Sequence, residues 1–148
     1  MEARGGHRAL TNLQMAQSHL RQARQILTEA EHHEQAETWH LVVRRSQEAV
    51  ELALKAVLRS GGVEVPRVHD VGIFLREHAD RFPTSLTQEL DRVVSISRRL
   101  RQEREISFYG DDEAGAPPER LYARQDAEEA LRDARFILEL SAAVLPTA

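Results

Sequence analysis

No cysteine occurs among the 148 residues, which excludes disulfide frameworks, thiolate zinc sites and a cysteine nucleophile together. No run of about 18 apolar residues is present, so a membrane-spanning helix is not expected. The segment from Met1 to Leu10 carries charge where a secretory signal is apolar, and the expected location is cytoplasmic. Aromatic residues are only 5% of the chain and are not interleaved with basic ones, which speaks against a base-stacking surface. Lysine is nearly missing: of 20 basic residues, Lys55 is the only lysine. The arginines supply planar donors suited to carboxylate or phosphate. Histidine is absent after His78.

A hydrophobic share of 41% suffices for a core, and 30% charged residues with five prolines do not describe a disordered chain. The length suits one domain: residues 1–10 read as a flexible N-terminus and 11–146 as a single helical domain. The net charge of −4, from 20 basic and 24 acidic residues, offers no overall field for nucleic acid or anionic lipid. Any polyanion contact must be local.

The apolar period is helical throughout. Leu13, Ala16, Leu20, Ala23, Leu27 and Ala30 share one stripe behind a Thr11-x-x-Gln14 capping box, which predicts a helix over 11–30. Glu31 to Gln35 reads as a polar separator. A second helix over 36–60 is apolar around most of its circumference from Ala49 to Leu58 and stops at Gly61 and Gly62. It is expected at the centre of the bundle, on too many sides for one small bundle to cover, which suggests a twofold dimer sharing helix 2 or helix 4. Asp70 caps a helix over 70–81, ended by Pro83, and Ser85-x-x-Gln88 opens one over 85–106. Ser107 to Arg120, with two glycines and two prolines, reads as a loop before a last helix over 121–145. Val63 to Val68 has no period-2 partner and reads as loop. The fold class is therefore all-α, an up-and-down four-helix bundle with an additional short helix, roughly 70% helical against an average near a third. The first and last helices, both lined by alanine, are expected to pack together.

Charge reverses across the end of helix 4. Arg92, Arg98, Arg99 and Arg101 fall without an intervening acid, and Glu105, Asp111, Asp112, Glu113 and Glu119 follow without a base. Pairing with acids and with the helix macrodipole accounts for Arg98 and Arg99. Arg104, four residues after Leu100 on the core-facing stripe, would reach a polar group inside the bundle end or line a cleft for an anion. His33, Glu37 and His40 have metal-ligand offsets only if one helix carries all three. With His33 expected in the loop, no metal site is assigned and no cofactor is expected. Glu51 and Lys55 suit a surface pair, and Trp39 suits the core or a subunit contact.

The run Ser46 to Leu58, then Val68-His69-Asp70-Val71 with Leu75, then Arg104 to Asp111, then Tyr122 and Asp126 to Leu131 with Ala134-Arg135, resembles the HEPN domain family of prokaryotes. The resemblance spans nearly the whole chain. It implies an α-helical bundle, frequent homodimers, and partnership with a minimal nucleotidyltransferase in a toxin–antitoxin pair. Ribonuclease members of that family carry Arg, four to six residues, then His, often followed by x-Tyr. Here Arg101 with five intervening residues reaches Ser107, and Ser107-x-Tyr109 stands in place of His-x-Tyr. Serine does not exchange a proton near neutral pH as imidazole does. The expectation is a non-catalytic, nucleotide-associated binding module, with a metal-independent ribonuclease toxin of degenerate motif as the alternative. Arg101, Arg104, Tyr109, His69 and Asp70 are the candidate nucleotide- or partner-binding residues. The resemblance further implies that Tyr109 accepts a nucleotidyl group; the alternative is that Tyr109 folds back and its hydroxyl bonds Asp111 or the bundle end.

Overall fold

The computed structural model describes residues 11–64, 70–110 and 115–145, the side chains of 105–109 excepted. The stretch 1–10, expected to be a flexible N-terminus, lies outside the described residues, as does most of the loop expected from Val63 to Val68. Within the described residues the chain forms α1 (Asn12–Gln35), α2 (Trp39–Ser60), α3 (Val71–Glu77), a 3-10 turn (Ala79–Arg81), α4 (Thr84–Thr87), α5 (Leu90–Tyr109), α6 (Pro118–Leu121) and α7 (Arg124–Val144). There is no strand among them. Four long helices make the bundle, and three short ones close its ends.

The expected capping box opens α1: the Gln14 backbone N–H donates to Thr11 Oγ1 at 3.1 Å and the Thr11 N–H to Gln14 Oε1 at 3.0 Å. The helix then runs through Glu31 to Gln35, five residues longer than expected, because that polar stretch is its solvent-side last turn and not a break. Glu31 there takes Arg135 of α7 at 2.9 Å. The corner to α2 is only three residues long and needs Glu37 at φ 60. His33 consequently lies inside α1, with Nδ1 3.1 Å from Thr38 Oγ1, and not in a loop.

Helix α2 is the centre of the molecule. It packs on α1, α3, α5, α6 and α7, and none of its residues is fully exposed. Its apolar circumference is thus covered within one chain, which removes the packing reason for a shared helix 2. Ala16 and Ala23 of α1 and Ala49, Ala53 and Ala56 of α2 are completely buried, so the two backbones approach closely. Helices α1 and α7 also meet: Ala30, Val42, Ala127 and Leu131 form a small cluster, against which Trp39 and Leu27 pack.

The expected helix over 85–106 divides. Pro83 precedes the single turn of α4 with no side-chain cap, Ser85 caps nothing, and regular helix resumes at Leu90. At the other end α5 continues through Tyr109, where a loop from Ser107 was expected, and ends at Gly110 with φ 82. A Cβ on Gly110 would collide with the carbonyl oxygen of Ala116 and press on Pro117 and Pro118, so glycine is required where the chain doubles back. The expected helix over 121–145 is the turn of α6 followed by α7, whose start is closed by the Ala123 N–H donating to Asp126 Oδ2 at 2.8 Å. The helix over 70–81 is α3 plus the 3-10 turn.

Leu54 is fully buried in the main core cluster. Leu54→Ala is expected to lower the unfolding free energy by about 2–5 kcal/mol, read from the urea midpoint at unchanged slope. A loss below about 0.5 kcal/mol, the range of surface substitutions, would show that α2 is not the packed centre.

Candidate functional site

The site expected from the sequence lies along the C-terminal half of α5. Leu90, Val93, Val94, Ile96 and Leu100 bury one side of this helix. Its buried Ser97 meets α3 at Gly72, where a Cβ would lie 3.1 Å from Ser97 Cβ and 3.2 Å from Val94 Cα. The glycine lets the two helices touch.

The arginines of α5 divide by partner. Arg92 lies over the Phe136 ring at 3.6 Å. Arg99 bonds Asp133 and stands 3.5 Å from Glu129, both on α7. The Arg98 Nε is 3.9 Å from Asp70 Oδ2. These three carry the acid-pairing and packing roles expected of a helix face. Arg101 differs, being exposed and, among the described residues, without a hydrogen bond or ion pair. It forms the rim of a small recess between α2, α3 and α5 with Gln47, Glu51, Val71, Ser97 and Leu100.

Arg104 is also exposed, so it does not continue the buried stripe after Leu100; the core has ended by that turn. Asp70 caps α3, its Oδ1 accepting from the Gly72 N–H at 3.1 Å. His69 lies outside the described residues. Ser107 and Tyr109 belong to the last turn of α5, and their side chains lie outside the description.

Two residues escaped the sequence reading. Gln47 is 4% exposed, and its Oε1 has no hydrogen-bond partner among the described residues. A buried, unpaired acceptor is costly, and this one belongs to a residue that lines the recess. No local pattern marks such an atom, because a glutamine within an apolar helix looks like any other polar interruption. Tyr122 stood only in the family-like run. Its hydroxyl donates to Glu103 Oε2 at 2.5 Å. Burial first, then the hydrogen bond and charge of Glu103, push its pKa above the ordinary tyrosine value. That bond pins the segment after Pro118 to α5 beside Arg104.

No group of three or more His, Cys, Asp or Glu able to hold an ion occurs among the described residues. His78 Nδ1 donates to the Phe74 carbonyl at 3.0 Å, and its ring stacks on Phe74 at 5.9 Å. Glu51 and Lys55 pair at 4.0 Å. No helix among the described residues is long and apolar enough to cross a membrane.

The HEPN domain model matches residues 16–144. The chain belongs to the HEPN domain family. Among solved structures, the HEPN chain superposes on TT1696 from Thermus thermophilus with a TM-score of 0.70 at 27% identity, covering 86% of this chain and 96% of that one. It also superposes on ST0689, described as an archaeal HEPN homologue, with a TM-score of 0.64 at 24% identity, covering 86% and 95%. No curated protein matches the chain.

The folded state holds the Tyr122 proton more tightly than the unfolded chain does. Its contribution to stability is therefore fully present below about pH 10 and is lost as pH rises past that value toward the folded pKa. Thermal unfolding followed from about pH 9 to 11.5 is expected to fall more steeply for the wild type than for Tyr122→Phe. Parallel curves would show that Glu103 does not hold this hydroxyl.

Proposed function

We propose that this HEPN chain is a non-catalytic binding module that presents the end of α5 to a nucleotide and works with a minimal nucleotidyltransferase, in the manner of a toxin–antitoxin pair. The observation that carries the reading is Arg101, exposed and unpaired among the described residues, on a helix that reaches Ser107 where ribonuclease members have histidine. An arginine can take a phosphate by charge-assisted hydrogen bonds. Serine at 107 cannot supply the near-neutral proton exchange that imidazole gives to cleavage at a 2'-hydroxyl. In this reading Arg101 and Arg104 bind phosphate, His69 and Asp70 contribute to nucleotide or partner binding, and the Tyr109 hydroxyl takes AMP from ATP on the partner, with pyrophosphate leaving. The second tyrosine, Tyr122, is engaged by Glu103 and is spared.

With a nucleotidyltransferase encoded beside it and ATP, the chain is expected to gain the mass of AMP, and Tyr109→Phe to gain none. Arg104→Ala is expected to weaken nucleotide binding by about 1–3 kcal/mol, or roughly 5- to 150-fold. Purified chain incubated with tRNA and total RNA without metal should leave both intact. Cleavage lost in Arg101→Ala would replace this reading with the ribonuclease one, and an unmodified Tyr109 would remove the nucleotidyl step.

Pairing with a second copy belongs to the same reading and is supported by family membership, not by an uncovered face of α2. Multi-angle light scattering is expected to report twice the 16.8 kDa chain mass at micromolar concentration. A stable monomer would sink the dimer.

A further inference from the structure

The strongest unassigned group of charges lies away from α5, on the face shared by α1 and α2. These helices run antiparallel through their short corner. Arg45 of α2 comes within 3.6 Å of Glu29 of α1, and a Cβ on Gly62 past the end of α2 would lie 4.0 Å from Asn12 Nδ2 at the start of α1. The register between these points sets His19 opposite Lys55 and Arg59. Three basic side chains therefore converge on one patch.

Their compensation is thin. Lys55 has Glu51 at 4.0 Å, the outer limit of an ion pair. Arg59 has no hydrogen bond or ion pair among the described residues, and its Nε is buried without a partner. His19 Nδ1 is likewise buried without a partner. Burial foremost, then the charges of Arg59 and Lys55, hold the His19 pKa below its ordinary value, with no acid opposing them. Elsewhere on α2 the arginines are paired: Arg45 bonds Glu48 at 2.8 Å and Arg44 stands 3.8 Å from the same carboxylate.

The helix macrodipole favours Arg59 in the last turn of α2 but does not explain a half-buried lysine and histidine set against it. Composition points the same way. The single lysine of the chain stands here, and its ammonium can serve a phosphate as a point charge beside the planar guanidinium of Arg59. We propose that His19, Lys55 and Arg59 form a binding site for a phosphate-bearing anion on the α1–α2 face. Lys55 touches the margin of the Arg101 recess through Glu51 at 4.0 Å, but Arg59 stands about 12 Å beyond Glu51 along α2, and the site does not rest on the proposed function.

The test uses the full chain with inorganic phosphate and, in a second arm, ADP, so that a free ion is distinguished from a nucleotide. The His19 ring resonance, assigned by its loss in His19→Gln, is followed by NMR while calorimetry measures affinity. The expected result is a saturable shift of His19 with at least one of the two ligands. Arg59→Gln and Lys55→Gln should each weaken binding tenfold or more, Lys55→Arg should retain it within a few-fold, and Arg101→Ala should leave the His19 shift in place. Circular dichroism melts confirm that each variant is folded, and Arg59→Gln alone decides the matter if Lys55→Gln is not. No saturable His19 shift with either ligand, an undiminished shift in Arg59→Gln, or a shift abolished by Arg101→Ala would each overturn the site.

Discussion

The molecule depends on the enclosure of α2. From Trp39 to Ser60 no residue is fully exposed, and five other helices pack against this one. Alanines at the α1 contact let two backbones come close, and Leu54, Val57 and Leu58 fill the space on the remaining sides. Burial of large apolar side chains at ~1.5–3 kcal/mol each is what holds the other helices in place. The polar residues on one side of α2 therefore stand in fixed positions: Gln47, buried, and Glu51 line the Arg101 recess, and Lys55, paired with Glu51, and Arg59 lie toward His19.

The end of α5 is built differently. Here the core has stopped, and position is kept by single devices: the left-handed Gly110, the prolines folded against it, and the Tyr122 hydroxyl on Glu103. Such a segment offers arginines to solvent while its backbone course remains defined by the return of the chain to α7. Arg92, Arg98 and Arg99 are consumed in tying α5 to α7 and α3. The arginine cluster that looks uniform along the sequence thus divides into side chains that fasten α5 to its neighbours and side chains left exposed at its end.

What the sequence made legible follows from periodicity. The four long helices, the central place of α2, the Thr11 capping box and the Asp70 cap are all local or single-helix properties, and all are present in the structure. The HEPN resemblance could be read for the same reason, since its motifs sit on those helices in order. The misplaced boundaries have two causes. Glu31 to Gln35 looks like a break because it lacks an apolar stripe, yet a helix needs none on its last, partly exposed turn, and the glycines and prolines after Tyr109 stop α5 only at Gly110, not at Ser107. Arg104 was assigned to the core stripe by extending the period past the last layer of the core. Gln47 and the Tyr122–Glu103 bond are tertiary facts, joining residues of different helices, and no spacing within one helix announces them.

Gly72 sets a dimension of the site. Because α3 rests on Val94 and Ser97 with no side chain between, the adjoining Val71 and Ser97 form two walls of the recess under Arg101. The missing methyl group acts as a spacer of zero thickness. A methyl group there would lie 3.1 Å from Ser97 and 3.2 Å from Val94, so α3 or α5 would have to give by a few tenths of an ångström. The spacing of the recess walls thereby depends on a residue that does not line the recess.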